Sequence, residues 1–258
     1  MRAYMRSCYL FFIGFILGSC QSGSEDKRHI IFSIPFTIVE GYGPFMPSFG
    51  LLGSEDKQSE WAKTYESPKG VPTNWHQVIQ SYIWLDPYQF VYQYYKKGDI
   101  PEGMYRYLQQ SWEWIPDTTQ LASTSIRCFV YTVRGLDKNG SQWVIVDTNN
   151  NLDFSDEKAF EPEKFVFGKN EFSTKNLQRV RYDRFLNGKV VDADLPLVVK
   201  VLDDGNLGYN IPQYGKCKLG DYTIAFPRSS SIFEKCGIVE AKENKTFENS
   251  ALIKVDKY

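Results

Sequence analysis

The sequence predicts an α+β fold: an antiparallel β sheet or sandwich carrying a small aromatic-rich helical segment. Three observations predict it. Between Asp86 and Trp112 the chain is punctuated as helices are; beyond residue 120 apolar residues alternate with period two, as strands do; and five of the six tryptophans fall between Trp61 and Trp114. Aromatic residues make up 16% of the chain, far more than a disordered polypeptide carries.

The chain opens with Arg2 and Arg6 ahead of "CYLFFIGFIL". That apolar stretch is shorter than the roughly 20 residues of a membrane span and has the length of a signal-peptide core. Residues 1–19 are therefore read as an export signal. Leu17-Gly18-Ser19-Cys20 resembles the bacterial lipobox, an aliphatic residue and two small ones before the cysteine that receives a lipid. The resemblance implies lipidation of Cys20, with an ordinary secretory signal as the alternative. The polar "QSGSEDKR" that follows reads as a flexible tether, residues 20–35. Within it, Glu25-Asp26 is a short acidic run of the kind that directs some lipoproteins to the outer surface.

Residues 36–120 form an aromatic-rich helical or mixed region. "IIFSIPFTIVEGYGPFMPSFGLLG" mixes strand-like runs with Pro and Gly and specifies no element. A helix is expected from about Thr73, carrying Trp75, Val78, Ile79 and Tyr82 at helical spacing. The next is better marked: Asp86 as N-cap, Pro87 at the first helical position, Lys96 and Lys97 in the last turn, Gly98 as the stop. Tyr88, Val91, Tyr92 and Tyr95 give it one buried face. A further helix opens at Pro101 and Glu102 and runs through Met104, Tyr105, Leu108 and Trp112.

Residues 121–258 form a β-rich domain. "SIRCFVYTVRG" and "QWVIVD" flank Asn139-Gly140, a strong hairpin turn. Further strands are expected at "KFVF", "LPLVVKVL", "GYNI", "DYTIAF", "CGIVEA" and "ALIKV".

Several function classes fall away on composition. With 30 basic and 31 acidic residues the chain lacks the basic footprint of a nucleic-acid binder. Beyond Cys8 and Cys20, three cysteines remain, Cys128, Cys217 and Cys236; no CxxC exists, so thiol redox catalysis has no support. In an oxidising compartment Cys217 and Cys236 are the plausible disulfide, against three buried thiols. Of two histidines, His29 lies in the tether and His76 beside Trp75 reads as a packing or surface residue. GxSxG, HExxH, P-loop and GxGxxG patterns are missing. "RSSS" at 228–231 reads as a loop, and Asp203-Asp204, Glu161 and Glu163 as surface turns. The expectation is a non-enzymatic protein.

Two features point to binding. In "VIVDTNNNLDFSDE", Asp147, Asn149, Asn151 and Asp153 alternate, followed by Ser155, Asp156 and Glu157. Calcium takes six to eight oxygens, and alternate side chains of a tight loop supply them, so Asp147, Asn149, Asn151, Asp153 and Asp156 form a candidate calcium site. The loop departs from an EF-hand: Leu152 stands where Gly makes the turn, Lys158 stands where a bidentate Glu belongs, and a strand leads in. A purely structural loop of Asx turns remains the alternative. The second feature is Trp112 and Trp114 in "WEW": on an exposed strand they would stack a glycan, whereas at a helix end they diverge and fill the core. "DTT" at Asp117–Thr119 also resembles a bacterial O-glycosylation acceptor.

"FVYTVRGLDKNGSQWVIVDTNNNLDFSDE", with "NWHQVIQSYIWLDPYQFVY" and "GDYTIAF", resembles the N-terminal, non-catalytic regions of Bacteroidetes lipoproteins that carry a C-terminal redoxin (thioredoxin-like) domain, over about residues 70–225. The resemblance implies an accessory domain held in the cell envelope, on the periplasmic or surface face of the outer membrane. Without a redoxin CxxC, it implies no reductase or peroxidase activity. The expected role is an envelope binding or scaffold domain, with the membrane, a glycan or an envelope protein as partner. The alternatives are a carbohydrate-binding surface lipoprotein and a truncated accessory region of a thiol-disulfide oxidoreductase.

Overall fold

The computed structural model describes residues 37–54, 58–168, 171–219, 222–229, 232–233 and 237–239. The export signal, Cys20, the tether and the expected strand "ALIKV" lie outside the described residues. The described residues belong to one compact unit.

Its centre is a three-stranded antiparallel sheet of β3 (His76–Trp84), β4 (Phe129–Leu136) and β5 (Gln142–Val146). The β4–β5 turn is the expected hairpin, with Gly140 at φ 79° and the Asp137 carboxylate accepting from Asn139 N and Ser141 N. Period-two alternation gives this sheet two apolar faces. Ile83, Val130, Val144 and Val146 point one way; Tyr82, Trp84, Phe129, Tyr131, Val133 and Ile145 point the other.

The aliphatic face packs on a second sheet. There β7 (Gln178–Leu186), β8 (Lys189–Val201) and β9 (Leu207–Asn210) contribute Val180, Tyr182, Leu195, Leu197, Val199 and Leu207. Two short strands, β2 (Gly50–Leu51) and β6 (Glu163–Lys164), complete it; the β6–β8 pairing is parallel. The remaining strands form a third sheet: β1 (Thr37–Glu40), β10 (Gln213–Leu219), β11 (Tyr222–Ser229), β12 (Ile232–Phe233) and β13 (Gly237–Val239). β1, β2 and β3 pair with β10, β9 and β4, so hydrogen-bonded ladders bridge the composition change near residue 120.

The aromatic face is covered by α1 (Pro87–Lys97) and α2 (Glu102–Ser111). α1 has the caps its sequence specifies. The Asp86 carboxylate accepts from Gln89 N at 3.0 Å, and Gly98 at φ 82° lets its own N–H and that of Asp99 reach back to the Tyr95 and Tyr94 carbonyls. α2 closes the same way with a residue ill-suited to it. Glu113 takes φ 49°, where Gly is the usual choice, and Trp114 N donates to Gln109 O.

Two buried glutamines one turn apart on α1 dock the segment that leads into β4. Gln89 accepts from Ala122 N at 2.8 Å and donates to Ala122 O; Gln93 does the same with Ile126 N, at 3.0 Å, and Ile126 O. Each side-chain amide thus takes the place of a neighbouring strand, satisfying buried backbone groups; Ile126 O also accepts from Cys128 N.

One expected element is corrected: the segment from Thr73 is strand β3, with no helix. The register of β3 on β4 shifts between His76 and Ile79, and Gln77 sits at φ 50°. That bulge inserts residues between Trp75 and the alternating run Ile79–Trp84, so the apolar spacing across the irregularity imitates a helical period.

Candidate functional site

β5 delivers Asp147 into the interior, where it is fully buried. Its two carboxylate oxygens accept from Asn151 N at 3.0 Å and Leu152 N at 2.9 Å. Burial pushes its pKa up, against the pull of the Leu152 and Asn151 amides. From there the chain makes successive Asx turns: Asn149 Oδ1 accepts from Asn151 N, Asn151 Oδ1 from Asp153 N, and Asp153 Oδ1 from Ser155 N. Asn150 at φ 58° and Leu152 at φ 62° make the bend, so Leu152 adopts the left-handed conformation usually left to Gly. Glu157 closes the loop by accepting from Thr148 N, Thr148 Oγ1 and Asn149 N.

The interior of the loop is lined with donors. The Asn149 and Asn151 side-chain amides both donate to Asp156 Oδ2, at 3.0 and 2.9 Å. Turning either amide over would set its NH2 against a backbone N–H. The loop's own hydrogen bonds thus engage at least one oxygen of each of the five candidate ligands, and both of Asp147. Among the described residues, no group of three or more His, Cys, Asp or Glu stands together as metal ligands do.

The loop is also docked from a distance. Lys69 N donates to Leu152 O, and Phe154 N to Lys69 O. Gly70, at φ 71°, lies so close that a β-carbon there would be 2.7 Å from Asp153 Oδ1 and nearer still to Ser155 N.

Two clefts flank this loop and share Arg127 as a wall. The larger, of about 490 Å³, is lined by Arg127, Asn149, Arg181, Asp192, Ala193 and Asp194. The smaller, of about 250 Å³, has Ile126, Phe129 and Leu152 on its apolar side, with Glu66, Gln93 and Lys97 among its polar lining. The larger cleft is the charged face of the β7–β8 hairpin. Across that strand pair Asp183 stands opposite Asp192 and Arg181 opposite Asp194. Two carboxylates in direct register repel, and Arg127 relieves them: it makes a bidentate pair with buried Asp183, at 3.1 and 2.9 Å, and stands 3.5 Å from Asp192. Burial alone would raise the Asp183 pKa; the bonds from Arg127 hold it below the ordinary carboxylate value. Asn150 fixes the wall by donating to Phe129 O and Arg181 O, and Arg181 N donates to Thr148 O. The Arg181 side chain is exposed and, among the described residues, makes no ion pair.

Sequence reading missed these charged residues. Their signal was the alternation in "QRVRYDRFLNGKVVDADLPL" around Asn187-Gly188, the same dipeptide as Asn139-Gly140 but here a two-residue turn between Leu186 and Lys189, with Asn187 at φ 51° and Gly188 at φ 77°.

The other sequence candidates are placed as follows. Trp112 and Trp114 are half-buried and close together, ring centroids 6.4 Å apart; Trp114 lies 4.9 Å from the Tyr88 ring and edge-on to Tyr105. The left-handed Glu113 between them keeps the indoles from diverging. Cys217 is buried on β10, while Cys236 lies outside the described residues. Cys128 is buried and its thiol pKa is pushed well up by burial. His76 is exposed, Glu163 pairs with Lys200 and Lys175, and Asp117 caps its own turn through Thr119. No protein-family model, curated protein or solved structure matches the chain.

Proposed function

We propose that this is an exported protein anchored in the cell envelope by a lipid on Cys20, whose folded body is a non-enzymatic binding module. The anchor rests on Leu17-Gly18-Ser19-Cys20 behind a short basic and apolar leader. The binding role rests on one observation above others: the pair of clefts meeting at Arg127, whose guanidinium is held by buried Asp183 before any ligand arrives. Preorganised polar groups in a concave site are what specific binding requires. In this reading the Asp147–Glu157 loop is structural: it forms one rim of both clefts and keeps Asn149, Asn150 and Asn151 in place by its own hydrogen bonds.

Metabolic labelling with an alkyne fatty acid, in cells expressing the wild type and Cys20→Ala, tests the anchor. Label on the wild type alone supports it; equal label on both, or on neither, rejects it. A carbohydrate is the second reading, favoured by the balanced charge of the larger cleft.

A further inference from the structure

The charges lining the larger cleft narrow the ligand class; this step rests on the binding reading above. Arg127 and Arg181 supply two guanidiniums, Asp192 and Asp194 two carboxylates. Each has a counter-charge close by: Arg127 is 3.5 Å from Asp192, Asp194 is 3.8 Å from Arg179, and Arg181 faces Asp194 across the strand pair. An incoming anion meets two carboxylates and an incoming cation two guanidiniums, so either is opposed by like charge. A neutral hydroxyl meets no such conflict. It accepts from a guanidinium and donates to a carboxylate, bridging the existing charges without displacing the Arg127–Asp192 and Arg179–Asp194 pairs.

Past Arg127 the lining changes. Ile126, Phe129 and Leu152 offer an apolar surface, with Asn151, Tyr94 and one opposite pair of charges, Glu66 and Lys97, in the same lining, a mixture that suits a sugar ring with one face of C–H groups and a rim of hydroxyls. We infer that the two clefts together bind a neutral oligosaccharide, one residue hydrogen-bonded between Arg181 and Asp194 and the next lying across Arg127 against Leu152. Trp112 and Trp114 take no part in it.

The test applies the full-length chain, in detergent, to an array of neutral and acidic oligosaccharides, then titrates the best neutral one and its component monosaccharide. Arg181→Ala is suited to the question because its side chain is exposed and makes no ion pair among the described residues; its unfolding temperature is checked alongside. The expected results are retention of a neutral oligosaccharide, about tenfold weaker binding by Arg181→Ala, about tenfold weaker binding of the monosaccharide, and little change at high salt. Retention of acidic glycans only, lost with salt and with Arg181→Ala, overturns the neutral-sugar inference and leaves the cleft as the binding site. A neutral sugar bound equally by wild type and Arg181→Ala removes the site itself. An array that retains nothing also overturns the inference.

Discussion

The two faces of the central sheet bury their residues in contrasting ways. On one, Ile83 and the valines and leucines of β4, β5, β7, β8 and β9 interdigitate with two rings, Phe160 and Tyr182, and the small hydroxyls of Ser81 and Thr132 are buried on the same face. On the other, Phe90, Tyr94, Phe129, Tyr131, Trp84 and their neighbours pack at ring separations of about 5–6 Å, in tilted, stacked and edge-on pairs. Polar groups thread that second core: Gln89 and Gln93 within it, and the Tyr131 hydroxyl accepting from Glu66 N. The difference teaches where function can be built. The aliphatic side is mostly shape, its Ser81 hydroxyl spent on the Gly53 carbonyl, whereas the aromatic side has polar ends that reach its margin, and there the smaller cleft opens beside Tyr94 and Phe129.

The contrast can be broken from either side. The largest effect is expected from Leu195→Ala or Leu197→Ala in the aliphatic core, both fully buried, at about 2–5 kcal/mol in urea unfolding. Gln93→Ala should also cost about 1–3 kcal/mol, although it removes little apolar surface, because it leaves the Ile126 N–H buried and unpaired, while Ile126 O keeps only the bond from Cys128 N. If Gln93→Ala falls within a few tenths of wild type, the polar threads do not hold the aromatic side together. Asp147→Ala is expected to lose about 1–2 kcal/mol, chiefly for the stranded Leu152 amide, since Asn151 N keeps its bond to Asn149 Oδ1. Its partner experiment is wild-type unfolding with EDTA and with millimolar calcium. The curves should coincide, and a gain of several degrees with calcium would place an ion in the loop.

A pH series sharpens the picture at the cleft. The folded Asp183 carboxyl titrates below its ordinary value near 3.8, so in the interval between the two the unfolded chain binds more protons. Its stabilisation is thus complete above that ordinary value and is lost as pH falls through the folded one. The stability gap between wild type and Asp183→Asn should close over that range and stay constant above it; a gap unchanged down to strongly acid pH would contradict the pairing with Arg127. The smallest effect is a gain. Glu113→Gly relieves a left-handed non-glycine residue and is expected to add about 0.5–1 kcal/mol, visible as a slightly higher unfolding temperature.

Local chemistry was legible in the sequence and long-range docking was not. The ends of α1 could be read to the residue, because Asp86, Pro87 and Gly98 each act within a turn of where they stand. Its buried face could not: of Tyr88, Val91, Tyr92 and Tyr95 only Val91 is buried, with Gln89, Phe90, Gln93 and Tyr94. The β4–β5 hairpin was legible for the same reason. β3 was hidden by the bulge at Gln77, and β7 by charges at alternate positions that serve the cleft face. The cleft depends on Arg127 reaching Asp183, 56 positions away, and nothing near either residue announces the other.

The order in which partners are made also matters. Thr37 in β1 pairs with Lys216, and Gly50 in β2 with Tyr209. At about 5–20 residues per second of synthesis, each waits roughly 8–36 seconds for its partner to be polymerised. A chain built this way cannot complete its outer sheets from the N-terminus onward. Until the last third emerges, β1 and β2 are open edges, and the protein is most exposed to aggregation during manufacture rather than after it.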